Sequence, residues 1–462
     1  MIQELSIQGF KSWLNTGAIS LAPLTAFFGT NSSGKTSLLQ FLLMLKQTVD
    51  SADRRQVLYL GDERSIVNLG TFREILTRTG LRTAPLELSW KLNWKLPAGD
   101  VLEVPKLPSP KIPWLSFGAR LQEAEENRPI VVKEMMYGWN GLSFGMRENQ
   151  KEKGKYDLFA KPKNAYQFKR VKRGRAWPLP HPMKCYGFPD EVRAYFKNAG
   201  FLSDFELAFE RLFDRVFYLG PLREYPRRQY TWAGIDPLDM GKRGEFVVEA
   251  ILASKERGEK YHFIKGRRLL DLEELIAAWL KELGLISSFK IRPVSRSKTN
   301  RIFQVWVKQS EASAEVLLTG VGFGISQILP VIALCYYVPK GSTVVLEQPE
   351  IHLHPAVQAG LAQVFAHAME ERSIQIILES HSEYLLKRLQ LLLAKEEINR
   401  KDVSFYFCSI DRKDGLSKLS ALAVDDYGNI KNWPEGFFGN PFKEMSERIK
   451  AERMRKKKVD TL

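Results

Sequence analysis

The sequence predicts an α/β fold, a mixed sheet flanked by helices that carries an inserted basic subdomain and no long coiled coil. Three observations predict it. An apolar run, Leu24-Thr-Ala-Phe-Phe28, leads through a glycine-bearing loop into the helix-periodic Ser37-Leu-Leu-Gln-Phe-Leu-Leu-Met-Leu-Lys46. Far downstream, Ser342 to Glu347 and Ile374 to Glu379 are two more apolar runs with strand character, separated by helix-patterned sequence. No heptad pattern is sustained and no internal repeat is visible.

Size and composition bound the class. A length of 462 residues suits a core with insertions better than one minimal domain. Hydrophobic content of 44% and charged content of 26% are those of a folded chain. No apolar run approaches the roughly 18 residues that a membrane span needs, and Met1-Ile-Gln-Glu-Leu-Ser-Ile lacks the basic and apolar regions of a secretory signal. A cytoplasmic protein with no membrane partner is expected. The three cysteines, Cys185, Cys335 and Cys408, are too widely spaced for a Cys-x-x-Cys metal site or a disulfide framework. A net charge of +16 favours polyanions, through release of condensed counterions, and serves solubility equally well.

The elements follow in order. Residues 1–104 hold an amphipathic opening strand and the strand, loop and helix just described. Residues 105–214 turn to Pro, Lys, Arg and aromatic residues, with basic clusters at Lys151-Glu-Lys-Gly-Lys155 and Lys169-Arg-Val-Lys-Arg-Gly-Arg175, and close on a helical stretch from Glu191 to Phe213. Residues 215–400 return to α/β character, with a helix from Leu270 to Leu283 and a strand-and-helix region from Val316 to Val338. Residues 401–462 form a C-terminal domain ending in a charged helical tail, Met445 to Lys458.

The loop is the strongest signal. Gly29-Thr-Asn-Ser-Ser-Gly-Lys-Thr36 fits the G-x-x-x-x-G-K-[ST] pattern of a P-loop. Gly29 and Gly34 allow the tight turn that points backbone N–H groups at phosphate oxygens, and the following helix N-terminus adds positive potential. Thr30, Asn31, Ser32 and Ser33 fill the loop, Lys35 reaches the β- and γ-phosphates of ATP, Thr36 ligates Mg2+, and Ser37 opens the helix. Such a site needs an acid at the end of a second buried strand. Glu347 takes that magnesium-side position. Gln348 stands where a water-polarising glutamate is often found, and an amide is no general base. Three routes stay open: slow hydrolysis, Glu350 as the base, or Gln348 orienting water. His381, at the end of the next strand, suits a γ-phosphate contact. His352 and His354 lack the neighbours that a zinc site needs, and Asp425-Asp426 before Gly428 reads as a turn.

Taken together, Gln8-Gly-Phe-Lys-Ser12, the P-loop, Glu347-Gln-Pro-Glu-Ile-His-Leu-His-Pro355 and Glu379-Ser-His-Ser382 resemble the RecF, SMC and OLD branch of ABC-type P-loop ATPases. Leu318-Thr-Gly-Val-Gly-Phe-Gly-Ile-Ser-Gln327, Tyr218-Leu-Gly-Pro-Leu-Arg223 and Asn432-Trp-Pro-Glu-Gly-Phe-Phe438 are similar to a bacterial subgroup of standalone AAA family ATPases with a C-terminal domain of unknown function. The resemblance covers residues 1 to 90 and 215 to 440. It implies an ABC-type core and a head-to-tail homodimer, or a higher homo-oligomer, with each ATP held between Lys35 of one copy and a signature loop of the other. Gly322, Gly324, Ser326 and Gln327 would form that loop, although the family's signature serine has no clear equivalent. Asn68 is the candidate for its glutamine loop. Members of this branch serve as ATPase subunits of anti-phage defence systems, with a nuclease domain following the ATPase in some. That domain is not expected here, so a nuclease or toxin would be a separate effector. DNA maintenance, with DNA as partner of the basic insertion, and a nucleotide-binding regulator with negligible turnover are the competing expectations.

Overall fold

The computed structural model describes residues 1–78, 87–97, 102–105, 107, 114–123, 130–171, 177–294, 301–434 and 447–451. In the first part of the chain lie β1 (Ile2–Phe10), β2 (Trp13–Asn15), β3 (Ile19–Ser20), β4 (Leu24–Gly29), α1 (Lys35–Asp50), α2 (Phe72–Ile75), β5 (Glu87–Lys95), β6 (Trp114–Glu123), β7 (Ile130–Trp139), β8 (Leu142–Glu148) and β9 (Tyr156–Lys161). Then come α3 (Asp190–Tyr195), α4 (Leu202–Asp214), β10 (Val216–Leu219), β11 (Tyr230–Thr231), α5 (Val247–Glu256), α6 (Leu272–Glu282), β12 (Ser288–Pro293), β13 (Ile302–Lys308) and β14 (Glu315–Leu317). The last group is α7 (Phe323–Tyr337), β15 (Thr343–Glu347), α8 (Pro355–Arg372), β16 (Gln375–Glu379), α9 (Glu383–Ala394), β17 (Val403–Ile410) and β18 (Ser417–Ala421).

The site is built on a six-stranded sheet in the order β10-β15-β16-β4-β17-β18, parallel except for the final antiparallel pair. Its central strands are short and almost wholly apolar, as strands covered on both faces must be. Their side chains divide by alternation. Leu24, Ala26, Phe28, Val344, Leu346, Ile376 and Leu378 enter a core with α5 to α9. Phe27, Val345, Ile377, Tyr406 and Cys408 enter the opposite core, with α1.

That second core is roofed by an antiparallel sheet, β2-β1-β5-β6-β7-β8-β9, with β3 paired on β1. The strands of the basic segment therefore extend a sheet that the N-terminus begins, and the expected boundary at 104/105 falls inside it. α4 packs beneath this sheet through Phe205, Phe209 and Phe213 at helical spacing. Phe209 meets Phe117 and Tyr186 with ring centroids 4.8 Å apart in both cases. A smaller antiparallel sheet, β12, β13, β11 and β14, packs on α6.

One expectation is corrected. The helix expected from Glu191 to Phe213 is broken between α3 and α4, because Lys197 donates its N–H to the Lys169 carbonyl at 2.9 Å instead of continuing the helix. β17, just beyond the expected boundary at 400/401, lies beside β4, with Cys408 opposite Gly29. Part of the basic cluster (172–175), the motif residues 435–438 and most of the charged tail lie outside the described residues. No helix among the described residues is long and apolar enough to cross a membrane, and the longest is the 18-residue α8.

Candidate active site

β4 ends at Gly29, and the chain curls through residues 30–34 before α1 begins at Lys35. The curl uses left-handed backbone at Ser32 (φ 59°) and Gly34 (φ 87°), the kind of turn that gathers N–H groups into an anion-binding concavity. Gly29 is held against the Cys408 carbonyl, where a Cβ has no room. Lys35 is buried, and its Nζ donates back to the carbonyls of Gly29 at 3.1 Å and Thr30 at 2.7 Å. Burial lowers its pKa, opposed by the Glu379 carboxylate. The ammonium thus occupies the middle of the loop, where it also faces the Ser33 hydroxyl at 3.4 Å.

The acids come from the neighbouring strands. β16 lies between β4 and β15, and Glu347 and Glu379, the last residues of β15 and β16, stand in register. Both are buried. Thr36, the P-loop hydroxyl, donates to Glu379 Oε2 at 2.7 Å. Burial first, and then the Glu379 charge, push the Glu347 carboxyl up to about 7, against the Tyr218 hydroxyl, Arg223 and Lys11. Arg223 is itself buried, which lowers it to about 10. Its Nη2 lies 3.5 Å from the Glu347 carbonyl, while Nε and Nη1 have no hydrogen-bond partner.

The remaining predicted residues take distinct places. Gln348 follows β15 in left-handed backbone (φ 42°), and its N–H donates to the Glu379 carbonyl at 3.0 Å. Glu350 is buried, and its Oε1 accepts the His381 N–H at 2.7 Å while Oε2 is unpartnered. Glu350 is therefore a clasp between the loop after β15 and the turn after β16. Burial raises its pKa. His381 is partly buried, and both burial and the Lys35 charge lower its pKa, favouring the neutral imidazole. Ser382 caps α9 by accepting the Leu385 N–H at 3.0 Å.

Gly322, Gly324, Ser326 and Gln327 form the first turn of α7, Gly322 being its N-cap. The Ser326 hydroxyl is satisfied by the Phe323 carbonyl at 2.7 Å. Phe323 packs on Tyr225 and His352, with centroids 5.3 and 5.4 Å away. Among the described residues no hydrogen bond joins this turn to the P-loop of the same chain. Asn68 is folded into its own turn, its Oδ1 accepting the Gly70 N–H at 3.3 Å. His354 caps α8 through Nδ1. Asp425 accepts the N–H groups of Tyr427 and Asn429 at 3.0 and 2.8 Å, a turn rather than half of an acidic pair.

Sequence reasoning assigned no role to Glu379, Lys11, Trp13 or Ser417. A signal for Glu379 was present, since Thr343-Val-Val-Leu-Glu347 and Gln375-Ile-Ile-Leu-Glu379 are both apolar runs ending in glutamate. Lys11 lies in left-handed backbone (φ 51°) and its Nζ donates to Gln40 on α1. Trp13, Ser12 and Ser417 pack beneath Gly34.

Chemically, the loop offers N–H donors and a lysine for phosphate oxygens. The Thr36 hydroxyl, bonded to Glu379, and the two strand-end carboxylates in register are hard oxygen donors of the kind that Mg2+ takes. The residues fit that ion.

Two family models match parts of the chain. Residues 194–387 match the family model described as "AAA domain, putative AbiEii toxin, Type IV TA system". Residues 398–447 match the one described as "Protein of unknown function (DUF3696)". No curated protein matches the sequence. Similar solved structures include an SMC head bound to the C-winged helix domain of ScpA, at 11% identity and TM-score 0.43, covering 92% of this chain and 98% of that one. The SMC head domain from Thermotoga maritima gives 11% identity and TM-score 0.42, covering 92% and 99%. An Smc head with an extended coiled coil, bound to the C-terminal domain of ScpA derived from Pyrococcus furiosus, gives 9% and 0.41, covering 92% and 96%.

Proposed function

We propose that this chain binds and slowly hydrolyses ATP, dimerises around it, and controls a separate effector, a nuclease or toxin, in bacterial anti-phage defence. The observation that carries the ATPase reading is the Thr36 hydroxyl held at 2.7 Å from a buried strand-end carboxylate, directly behind a P-loop whose lysine faces inward. The family match, whose description names an AAA domain and a toxin of a Type IV TA system, supports an ATPase that works with a toxic activity.

In this reading the loop N–H groups and Lys35 take the phosphates, and Lys35 exchanges the carbonyls of Gly29 and Thr30 for phosphate oxygens. Magnesium at Thr36 and Glu347 would neutralise phosphate charge during transfer. His381, kept neutral, donates or accepts a hydrogen bond at the γ-phosphate without adding charge. Gln348 sits at the mouth of the site as an orienter of water. With no carboxylate in its place, the chemistry is slow.

The signature turn of α7 completes the site from a second copy. Tyr225 (68% exposed), packed on Phe323 (38%) of that turn, offers apolar area that a partner copy covers. The test of the site is Lys35→Ala: it abolishes nucleotide binding, and ATP-dependent dimerisation persisting in that variant refutes the assignment. The test of the effector is a pull-down from the native host with ATP present and Lys35→Ala as control. One stoichiometric nuclease or toxin-like protein supports the reading, and recovery of DNA and repair proteins, or of nothing, displaces it.

A second reading, a DNA-binding ATPase of repair or maintenance, is favoured by one feature. A groove of about 1090 Å³ at the β9 edge of the antiparallel sheet is lined by Arg147, Lys155, Lys163, Arg170 and the exposed Trp177. Cations interleaved with an exposed aromatic ring suit a phosphate backbone and stacked bases. DNA binding that weakens steeply with salt and strengthens with ATP favours this reading, and no binding at physiological salt removes it.

A further inference from the structure

Three facts meet at the end of β16. First, the strand order puts β16 between the P-loop strand β4 and the acid strand β15, so Glu379 stands one strand nearer the P-loop than Glu347 does. Second, the partner of the Thr36 hydroxyl, the group that P-loops present to magnesium, is Glu379 at 2.7 Å. Third, the loop after β15 carries an amide, Gln348, where a second acid is expected, and its backbone N–H is bonded to the Glu379 carbonyl at 3.0 Å.

We propose that Glu379 is a second magnesium-side carboxylate, positioned by β16, which restores to this site the negative charge that Gln348 withholds. This inference rests on the ATP-binding reading above. In the absence of metal Glu379 holds the Thr36 hydroxyl as a hydrogen-bond donor. With Mg2+ and nucleotide bound, Thr36 and Glu379 would be the residues that hold the ion on this side, and the ion would supply charge neutralisation at the phosphates. Glu347 and Glu379 are in register and both buried, so a divalent cation held by the pair would relieve the repulsion between them. The backbone supports this placement. Ser380 N–H donates to the Phe27 carbonyl at 3.0 Å, so the end of β16 is fixed to the strand that opens the P-loop. The carboxylate is therefore held by sheet hydrogen bonds and does not depend on a mobile loop.

The distinguishing feature of this role is its sign without metal. A carboxylate that serves magnesium opposes bare ATP, whose phosphates are negative, and assists only the metal complex. Binding of a fluorescent ATP analogue to the full chain is measured as a function of Mg2+ concentration and, separately, in EDTA. Glu379→Gln raises the Mg2+ concentration needed for half-maximal binding by about tenfold or more, while in EDTA it binds the analogue as tightly as the parent chain or more tightly. A residue that merely supports the fold weakens both. An Mg2+ requirement equal to that of the parent overturns the proposal, as does a parallel loss in EDTA. If thermal melting shows the Gln variant unfolded, Glu379→Asp is read instead. It keeps the charge but withdraws it by one methylene, and an unchanged Mg2+ requirement in that variant is equally fatal. Lys35→Ala in the EDTA series separates the two levels: retained binding there overturns the P-loop reading and this inference together, whereas loss there, with a normal Mg2+ requirement in Glu379→Gln, overturns the role of Glu379 alone.

Discussion

The indole Nε1 of Trp13 donates to the carbonyl of Gly34 at 3.0 Å, tying the turn after β1 to the residue just ahead of the P-loop lysine. The same turn is bonded to the far end of the chain, where Ser417 Oγ donates to Ser12 Oγ at 2.6 Å. Gly34 thus sits in a socket made by three side chains. Gly34→Ala places a Cβ 2.6 Å from Ser417 Oγ and 2.8 Å from both Ser12 Oγ and Trp13 Nε1, at a φ of 87° that alanine resists. It lowers ATP affinity by about tenfold or more, since about 1.4 kcal/mol of loop distortion suffices. Trp13→Phe loses this hydrogen bond and leaves a void where the larger, fully buried indole was, a cost of about 1 kcal/mol or more in stability. Calorimetric titration with ATP and thermal melts read both.

Gln348→Glu supplies the carboxylate that the water-side position lacks. Turnover rises by about a hundredfold if proton abstraction limits the chemistry, read as single-turnover hydrolysis. An unchanged rate places the base at Glu350.

Glu350 and His381 form a second testable pair. Glu350→Ala removes the acceptor of the His381 N–H and frees the turn after β16. The expected result is a kcat reduced by about tenfold or more, with the affinity for Mg2+ and ATP changed by less than about threefold. Glu350→Gln keeps an oxygen acceptor and is expected to retain most of the rate. Equal losses in both variants make the charge of Glu350, rather than its clasp, the active feature.

Stability carries a pH signature away from the site. Glu206 on α4 accepts the Phe188 N–H at 2.6 Å, and burial pushes its carboxyl up to about 7. A carboxyl raised on folding binds its proton more tightly in the native state, so stability is full below its ordinary range of about 4.5 and falls as pH rises toward 7. Glu206→Gln, neutral throughout, flattens this fall. Urea denaturation of parent and variant at pH 5 and pH 7.5 measures it, and an identical slope in both shows that Glu206 is not the titrating group.

Much of the site was legible because its signals are local. The glycines of the loop, the spacing of Lys35 and Thr36, and the apolar runs before Glu347 and Glu379 each lie within a few residues of one another, where period and backbone preference act. The helix between Glu191 and Phe213 was misjudged for the converse reason: a tertiary hydrogen bond from Lys197 to Lys169 overrides helix periodicity. The boundary at 104/105 was drawn at a change of composition, and composition says nothing of which strand edges pair.

By itself, then, the sequence determined the phosphate loop, the helix behind it and the buried acid strands, since these follow from short-range sterics and hydrophobic alternation. Only the tertiary structure decided that β16 separates the P-loop strand from β15, that β17 runs beside β4, and that Glu379 meets a hydroxyl 343 residues earlier in the chain. Strand order in a parallel sheet is set by how helices and a second sheet cover its two faces. That packing is a property of the whole chain, and no single segment encodes it.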